Sequence, residues 1–153
     1  MGDFNPAIGV KESSRGEELK SSKEAYNVLK PLFAKESDVE QMYFIFLDVK
    51  NRIISIDKLF SGSISSASIY PREIVKAVIR NRASGVIMTH NHPSGDPQPS
   101  REDYAITRAV GIALRAVDVS LLDHIIVGRT FFSFADEGVI HKNKVELKAF
   151  IDG

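Results

Sequence analysis

The longest apolar run in this chain of 153 residues is Met42-Tyr43-Phe44-Ile45-Phe46-Leu47, and it limits the fold more than any other segment. The run is far shorter than the roughly 20 residues that a helix needs to span a bilayer. Aromatic and branched side chains in such a run are typical of a buried strand. The turn-forming residues 48–52 and the apolar segment that follows predict a hairpin partner for it. The Gly- and Ser-rich residues 61–68 predict either a weak edge strand or a loop.

Helices and further strands alternate along the rest of the chain. Apolar stripes predict three helices, which begin at Ser22, at Pro71 and after Ser100. We expect the first to kink or end near Pro31 and the second to end at Ser84-Gly85. Short apolar segments predict strands at 86–90, 120–128 and 130–134, and the tail from Val145 predicts a short helix or an extended end. This alternation around one core implies a three-layer α/β domain.

The amino-acid composition argues against several classes of function. Lys plus Arg and Asp plus Glu both number 20, and a net charge of zero argues against a protein that clamps nucleic acid regardless of sequence. The lack of cysteine excludes disulfides, thiolate zinc fingers and cysteine nucleophiles. The first residues have no apolar core of a secretory signal, so we expect a cytoplasmic protein with no membrane contact. We expect residues 1–21 to form a flexible arm and residues 22–153 to form the domain.

One stretch combines residues that can bind a metal. His90 and His92 are two apart at the end of a predicted strand, so both imidazoles face one side. A loop with four turn-forming Pro and Gly residues returns the chain to Asp103, in the first turn of the next helix. Two neutral nitrogens and one carboxylate suit a divalent metal, zinc above others, and leave a fourth position for water.

Each residue of this stretch also has a plain structural interpretation. Ser100 is explained as a helix N-cap and Asp103 as a partner of the helix dipole. Histidines two apart on a strand are more often ordinary core or surface residues than ligands. The metal interpretation depends on the conjunction of aligned imidazoles, a stiff return loop and a carboxylate that can meet them.

At this point the sequence resembles a known family. His-x-His, seven residues, Ser, two residues and Asp is the JAMM signature of MPN-type metalloproteases. The segments FLDVKNRI, IYPREIVKAVIRNRASGVIMTHNHPSGDPQPSRED and LLDHIIVG closely resemble the RadC family of bacterial JAB-domain proteins, over roughly residues 40–138. The resemblance implies a three-layer MPN (JAB, cytidine-deaminase-like) fold, in which a mixed, curved sheet is flanked by helices.

The resemblance also implies an activity and its residues. It implies a zinc-dependent hydrolase that attacks peptide or isopeptide bonds with metal-activated water. One zinc ion per chain would be bound by His90, His92 and Asp103, and Ser100 would stabilise the tetrahedral intermediate. An upstream glutamate would act on the water, and Glu40, directly before the first long strand, is favoured over Glu73. The expected partner is a protein or peptide substrate of unknown identity.

Other functions remain open at this stage. One is a non-enzymatic accessory role in DNA repair or recombination, which the family name suggests, and another is a nuclease. Longer RadC proteins carry an N-terminal helical region with a helix-hairpin-helix element. The first 35 or so residues here are too few to hold it, so we do not expect the DNA-binding role attached to that region. The sequence does not predict an oligomeric state.

A few further polar residues lie near the motif, and one of them has two possible interpretations. His124, on a predicted strand with Asp123 facing the opposite side, is either a satisfied structural histidine or a support for the metal ligands. We expect Asn91 to point away from its histidine neighbours and to brace the loop after His92. We expect Asp96 and Glu102 to face solvent, together with a mild basic cluster in the tail: Lys142, Lys144 and Lys148.

Overall fold

Seven strands and four helices make up the described part of the chain, for which the computed structural model covers residues 4–5, 10–11, 14–33, 38–65 and 68–152. The strands are β1 (Phe4–Asn5), β2 (Val10–Lys11), β3 (Gln41–Leu47), β4 (Ile53–Ser61), β5 (Gly85–Asn91), β6 (Ser120–Val127) and β7 (Phe131–Ser133). The helices are α1 (Ser22–Phe33), α2 (Pro71–Asn81), α3 (Arg101–Ala116) and α4 (Val139–Asp152). None of the described helices is long and apolar enough to cross a membrane.

A mixed sheet of five strands runs through the middle of the fold in the order β4-β3-β5-β6-β7. The pairs β3–β4, β3–β5 and β6–β7 are antiparallel, and β5–β6 is parallel. The helix α3 makes the crossover between the two parallel strands, as a parallel pair requires. β1 and β2 pair with each other in a separate antiparallel ribbon.

Strand β3 is buried on both faces, which explains its unbroken apolar run. Met42 and Phe44 belong to the larger core, formed with α2, α3 and α4, whereas Tyr43 and Ile45 belong to a second core formed with α1. Successive side chains of a strand point to opposite faces, so each core receives every second residue. The three-layer α/β architecture predicted from the sequence is confirmed.

One helix ends where it was predicted and another does not. α1 ends at Phe33, two residues after Pro31, and the Phe33 ring packs edge-on against Tyr43 in the core with ring centroids 5.2 Å apart. α2 ends at Asn81 rather than at Ser84-Gly85, since Arg82 adopts the left-handed conformation (φ 52°) and its N–H caps the last turn. The tail is part of α4, and residues 62–65 after β4 form a loop.

The segment before α1 is partly attached to the domain. Residues 16–19 run along the start of β4, with the Ile53 N–H donating to the Glu17 carbonyl at 2.9 Å and the Gly16 N–H donating to the Ile53 carbonyl at 2.8 Å. Leu19 is buried in the core beneath α1. The sequence places these residues in an arm, but the backbone bonds and the apolar contact fix them to the sheet. Residues 1–3, 6–9 and 12–13 of that arm lie outside the described part.

Candidate metal centre

Strand β5 aims two imidazoles at one place. His90 is the penultimate residue of the strand and is fully buried, and His92 lies just after its end, partly exposed. Met88, two residues earlier on the same face, packs in the core beneath α3, so both rings project toward the start of α3. The His92 N–H donates to the carbonyl of Val127 at 2.9 Å, which extends the pairing with β6 and fixes the backbone there.

Asp103 is held against these rings by the cap of α3. Ser100 is the N-cap residue, and its Oγ accepts from the Asp103 N–H at 3.1 Å. In return the Asp103 Oδ2 accepts from the Ser100 N–H at 2.9 Å, which completes a capping box. The carboxylate therefore turns back toward the N-terminus of the helix, where the two imidazoles lie.

The three side chains bring their donor atoms together in a group that we call the donor triangle. The Nε2 atoms of His90 and His92 are 3.1 Å apart. The His90 Nε2 lies 3.2 Å from the Oδ1 of Asp103, and the His92 Nε2 lies 3.2 Å from its Oδ2. A tetrahedral zinc ion with bonds of about 2.0–2.1 Å sets neighbouring ligand atoms about 3.3 Å apart. Among the described residues these three form the group of His, Asp or Glu side chains that could hold a metal ion.

The hydrogen bond behind His92 leaves its Nε2 available for a metal. The Nδ1 of this ring lies 2.8 Å from the carbonyl oxygen of Asp96. A carbonyl can only accept, so Nδ1 carries the proton and the neutral ring has its lone pair on Nε2. That lone pair points at the other two donors, an arrangement that a cation between them stabilises. The donor set therefore fits a divalent metal.

Burial and charge act in opposite directions on the pKa values of this site. Burial alone would raise the pKa of Asp103, but hydrogen bonds from His90 and His92, the charge of His90 and the Ser100 amide lower it far below its usual range. The bond to Asp103 raises the pKa of His92, against a lowering by burial. The carboxyl is thus ionised at neutral pH, as a metal ligand must be.

Two glycines let the loop after His92 approach the turn between β6 and β7. The Arg129 N–H donates to the Gly95 carbonyl at 2.8 Å, and Gly95 has a positive φ of 91° that glycine adopts without strain. A Cβ on Gly128 would lie 2.4 Å from the Gly95 carbonyl oxygen, so only glycine fits there. This close contact holds the neighbouring Asp96 carbonyl that orients the His92 ring.

Behind His90 lies His124, which is also fully buried. The Nδ1 of His90 is 2.8 Å from the Nε2 of His124, and the Nδ1 of His124 is 2.6 Å from the Oγ1 of Thr107. The ring of Phe134 stacks on His124 with centroids 4.6 Å apart and fixes its plane. Burial is the largest cause that lowers the pKa of His124, so this imidazole is neutral.

Glu40 directly precedes β3 and reaches the same end of the sheet. Met42 pairs with His90 in antiparallel register, so the chain two residues earlier runs alongside His92. The negative charge of Glu40 is close enough to raise the pKa of His92. Its Oε2 accepts from the Ile64 N–H at 2.8 Å, and its carbonyl accepts from the Gly62 N–H. Glu73, by contrast, is exposed in the first turn of α2 and pairs with Lys76.

Comparison with known families agrees with this site. The family model described as RadC-like JAB domain matches residues 19–139. The chain belongs to the RadC-like JAB domain family. The matched region begins at the buried Leu19 and ends at the first residue of α4, so it contains the whole five-stranded sheet and every residue of the candidate metal centre.

Curated relatives of this RadC-like JAB domain are longer proteins. A UPF0758 protein of Herminiimonas arsenicoxydans is 49% identical over 100 residues, which are 65% of this chain and 45% of that protein. A UPF0758 protein of Pseudoalteromonas translucida is 51% identical over 102 residues, 66% of this chain and 46% of that protein. A UPF0758 protein of Vibrio cholerae is 47% identical over 94 residues, which are 61% of this chain and 60% of that protein. The chain thus spans about half the length of the curated relatives it matches.

Sequence reasoning missed two residues of this RadC-like JAB domain. Thr107 contacts His124 and was not considered, although it lies four residues after Asp103 and so on the same face of α3. Asn91 braces residues 39–41 rather than the loop after His92, because its side chain points to the opposite face of the sheet. Asp96 and Glu102 are exposed, as predicted.

Proposed function

We propose that this domain is a zinc-dependent hydrolase of peptide or isopeptide bonds in a protein or peptide substrate. The observation that carries the proposal is the donor triangle of His90, His92 and Asp103. Its two Nε2 atoms lie 3.1 Å apart and each faces one oxygen of the Asp103 carboxylate at 3.2 Å, and the charge of Glu40 acts on His92. A zinc ion bound there supplies a Lewis acid and lowers the pKa of a water molecule to about 7. Two imidazole nitrogens and one carboxylate oxygen are a donor set that suits zinc.

Glu40 is proposed as the general base and acid. Its Oε2 is fixed by the Ile64 amide, which leaves Oε1 to take a proton from the attacking water and return it to the leaving amine. Its position directly before a buried strand and the effect of its charge on the pKa of His92 support this role. A positioned general base of this kind contributes about 10²- to 10⁴-fold to a rate.

Ser100 is proposed to donate a hydrogen bond to the oxygen of the scissile carbonyl. The Oγ of this residue accepts from the Asp103 N–H in the cap, so its own hydroxyl proton is available for a substrate. Ser100 is exposed although Asp103, three residues later, is buried, and this exposure supports access of a substrate to the hydroxyl. A single donor of this type contributes about 3 kcal/mol in another enzyme class.

Metal analysis of the purified protein tests the first half of the proposal. We expect one zinc ion per chain in the wild type and loss of the ion in His92→Ala. His141→Ala is the matched control, because this exposed histidine lies on α4 outside the donor group. A wild-type chain that takes up no zinc, or a His92→Ala variant that keeps it, would contradict the proposal.

Hydrolysis itself is tested with a peptide library prepared from a proteome and with lysine-linked isopeptides, both analysed by mass spectrometry. We expect Glu40→Gln to keep its zinc and to lose at least about 100-fold in cleavage rate. Glu73→Gln, an exposed first-turn glutamate, is the control and should cleave like the wild type. A zinc-loaded wild type that cleaves neither substrate, or a Glu40→Gln variant of normal rate, would favour the non-enzymatic accessory role instead.

A further inference from the structure

A chain of three hydrogen bonds leads away from His90 on the side opposite the donor triangle. It runs from the Nδ1 of His90 to the Nε2 of His124 (2.8 Å), and from the Nδ1 of His124 to the Oγ1 of Thr107 (2.6 Å). It ends where the Thr107 Oγ1 donates to the backbone carbonyl of Asp103 at 2.6 Å. The side chains of Thr107 and of both histidines in it are fully buried, so no water competes for these bonds.

The carbonyl at the end of this chain determines the direction of every bond in it. A carbonyl oxygen can only accept, so the single proton of the Thr107 hydroxyl is committed to Asp103. Thr107 must then accept from His124, which places the proton of that imidazole on Nδ1. A neutral His124 has its lone pair on Nε2, and the bond at 2.8 Å therefore requires a proton on the Nδ1 of His90.

We infer that His124 and Thr107 are positioning residues that fix the tautomer of His90, with the proton on Nδ1 and the lone pair on Nε2 at the metal centre. The inference rests on the proposed metal-dependent function of this site. It extends the role of Asp103, because the same residue supplies a carboxylate to the donor triangle and a carbonyl that orients the ring of His90. His92 has a shorter version of the same arrangement, a direct bond from Nδ1 to the Asp96 carbonyl.

The tautomers can be measured without a metal, a substrate or a mutation. Nitrogen-15 chemical shifts and ring proton–nitrogen couplings report which nitrogen of each histidine carries the proton. In metal-free wild-type protein we expect both His90 and His124 to carry a proton on Nδ1, with the Nε2 of His90 free to donate to Asp103 until a metal replaces that proton. A His90 ring with no proton on Nδ1 would overturn the inference.

Two substitutions of Thr107 separate the hydroxyl from the shape of the side chain. Thr107→Val removes the acceptor for His124 and lets that ring place its proton on Nε2. The Nδ1 of His90 would then accept from His124 instead of donating to it, and its proton would move to Nε2. We expect a 10- to 100-fold rise in the dissociation constant for zinc, the usual cost of losing a partner behind a metal ligand. Thr107→Ser restores the hydroxyl and should restore both the tautomer and the affinity.

Thr89→Val is the matched control for loss of a buried hydroxyl. Thr89 is also fully buried and donates to a backbone carbonyl, that of Ile125 at 2.7 Å, but it lies on the opposite face of β5. This variant should lose stability as Thr107→Val does and keep the zinc affinity and the tautomers of the wild type. Equal loss of affinity in both valine variants would reduce Thr107 to a general packing role and overturn the inference.

A second pair of variants probes the other end of the chain of bonds. His124→Gln keeps an oxygen that can accept from the Nδ1 of His90, whereas His124→Leu keeps only bulk. We expect the glutamine variant to bind zinc more tightly than the leucine variant, and the reverse order would overturn the inference. Failure of the proposed function has a different signature, since a wild-type chain that takes up no zinc would still show its histidine tautomers by NMR.

Discussion

Asn91 holds Glu40 in place through the backbone on both sides of it. The Oδ1 of Asn91 accepts from the Gln41 N–H at 2.7 Å, and its Nδ2 donates to the Val39 carbonyl at 3.0 Å. Asn91 lies between the two histidines in the sequence, but its side chain faces the other side of the sheet. Strand β5, which contains His90 and leads directly into His92, therefore also fixes the proposed general base.

Replacement of Asn91 by alanine should weaken the fold and misplace Glu40. The variant loses two hydrogen bonds and leaves the buried Gln41 N–H without its acceptor, so we expect the free energy of unfolding to fall by about 2–3 kcal/mol. Urea unfolding measures this change. Asn143→Ala, at a half-buried position on α4, is the control and should stay within about 0.5 kcal/mol of the wild type. An Asn91→Ala variant as stable as the control would show that the two hydrogen bonds of Asn91 do not contribute to the free energy of unfolding.

Gly128→Ala should damage the centre from a distance. The added Cβ would lie 2.4 Å from a backbone oxygen of Gly95, so the loop that orients His92 has to move. We expect a loss of about 1–3 kcal/mol in stability and weaker zinc binding by calorimetry. In Gly111→Ala the nearest atom is 3.8 Å from the new Cβ, and the helix gains up to about 1 kcal/mol. Similar effects of Gly128→Ala and Gly111→Ala on stability would argue against the close approach of Gly128 to the Gly95 carbonyl.

Asp123 should make the fold less stable as the pH rises. Burial raises its pKa to about 6, although bonds from Ser133, Ala135 and the His124 amide oppose the shift. Because this pKa lies above the unfolded value of 3.8, the folded state binds the proton more tightly. The stability contributed by this group is full below about pH 4 and is lost as the pH rises through 6, a change of about 3 kcal/mol.

The Asp123→Asn variant tests that pH dependence. Asparagine can accept from the same two backbone amides and donate to the Ser133 hydroxyl, so the contacts around residue 123 are kept. Guanidinium unfolding between pH 4 and 7 should show a wild type that loses about 3 kcal/mol relative to the variant. Parallel curves for the two proteins would place the Asp123 pKa at its ordinary value.

Zinc binding should weaken in acid because His92 must lose a proton to bind. Its hydrogen bond to Asp103 raises the pKa of His92 in the metal-free protein. Below that raised pKa the zinc affinity should fall by up to about tenfold per pH unit, one proton being released on binding. Calorimetric titration with zinc at several pH values, in two buffers of different ionisation enthalpy, measures both the zinc affinity and the number of protons released. An affinity independent of pH between 5 and 8 would contradict the proposed ligand set.

Leu19→Ala should show that the end of the N-terminal segment belongs to the domain. This side chain is 5% exposed and packs in the core beneath α1, so we expect a loss of about 2–3 kcal/mol in unfolding free energy. Val49→Ala, at a turn position that is 82% exposed, should change stability by less than about 0.5 kcal/mol. An equally small effect at Leu19 would mean that the segment is not held.

The sequence predicts the sheet well because its signals are local. The continuous apolar run of β3 requires cover on both faces, and the alternation of elements then leads to three layers. The end of α1 near Pro31 was predicted, whereas the end of α2 was not. Arg82 ends α2 in a left-handed conformation for which its residue type gives no signal.

The donor triangle could be predicted because strand spacing and helix capping fix where side chains point. The supporting contacts could be predicted only in part, because they join distant parts of the chain. The sequence offers His124 as a support for the metal ligands beside a purely structural role, but it does not predict the partners of this histidine. His124 meets His90 across two paired strands, and Thr107 meets His124 from a helix. Asn91 clamps a segment 50 residues away, which only the register of β3 against β5 brings near.

The capping box of α3 gives Asp103 a role in folding in addition to its proposed role as a metal ligand. The Oδ2 that accepts from the Ser100 amide also faces His92, and loss of a helix cap costs about 1 kcal/mol. An aspartate at this position in a related chain therefore does not by itself indicate a metal site. The two histidines are the more specific marker of one.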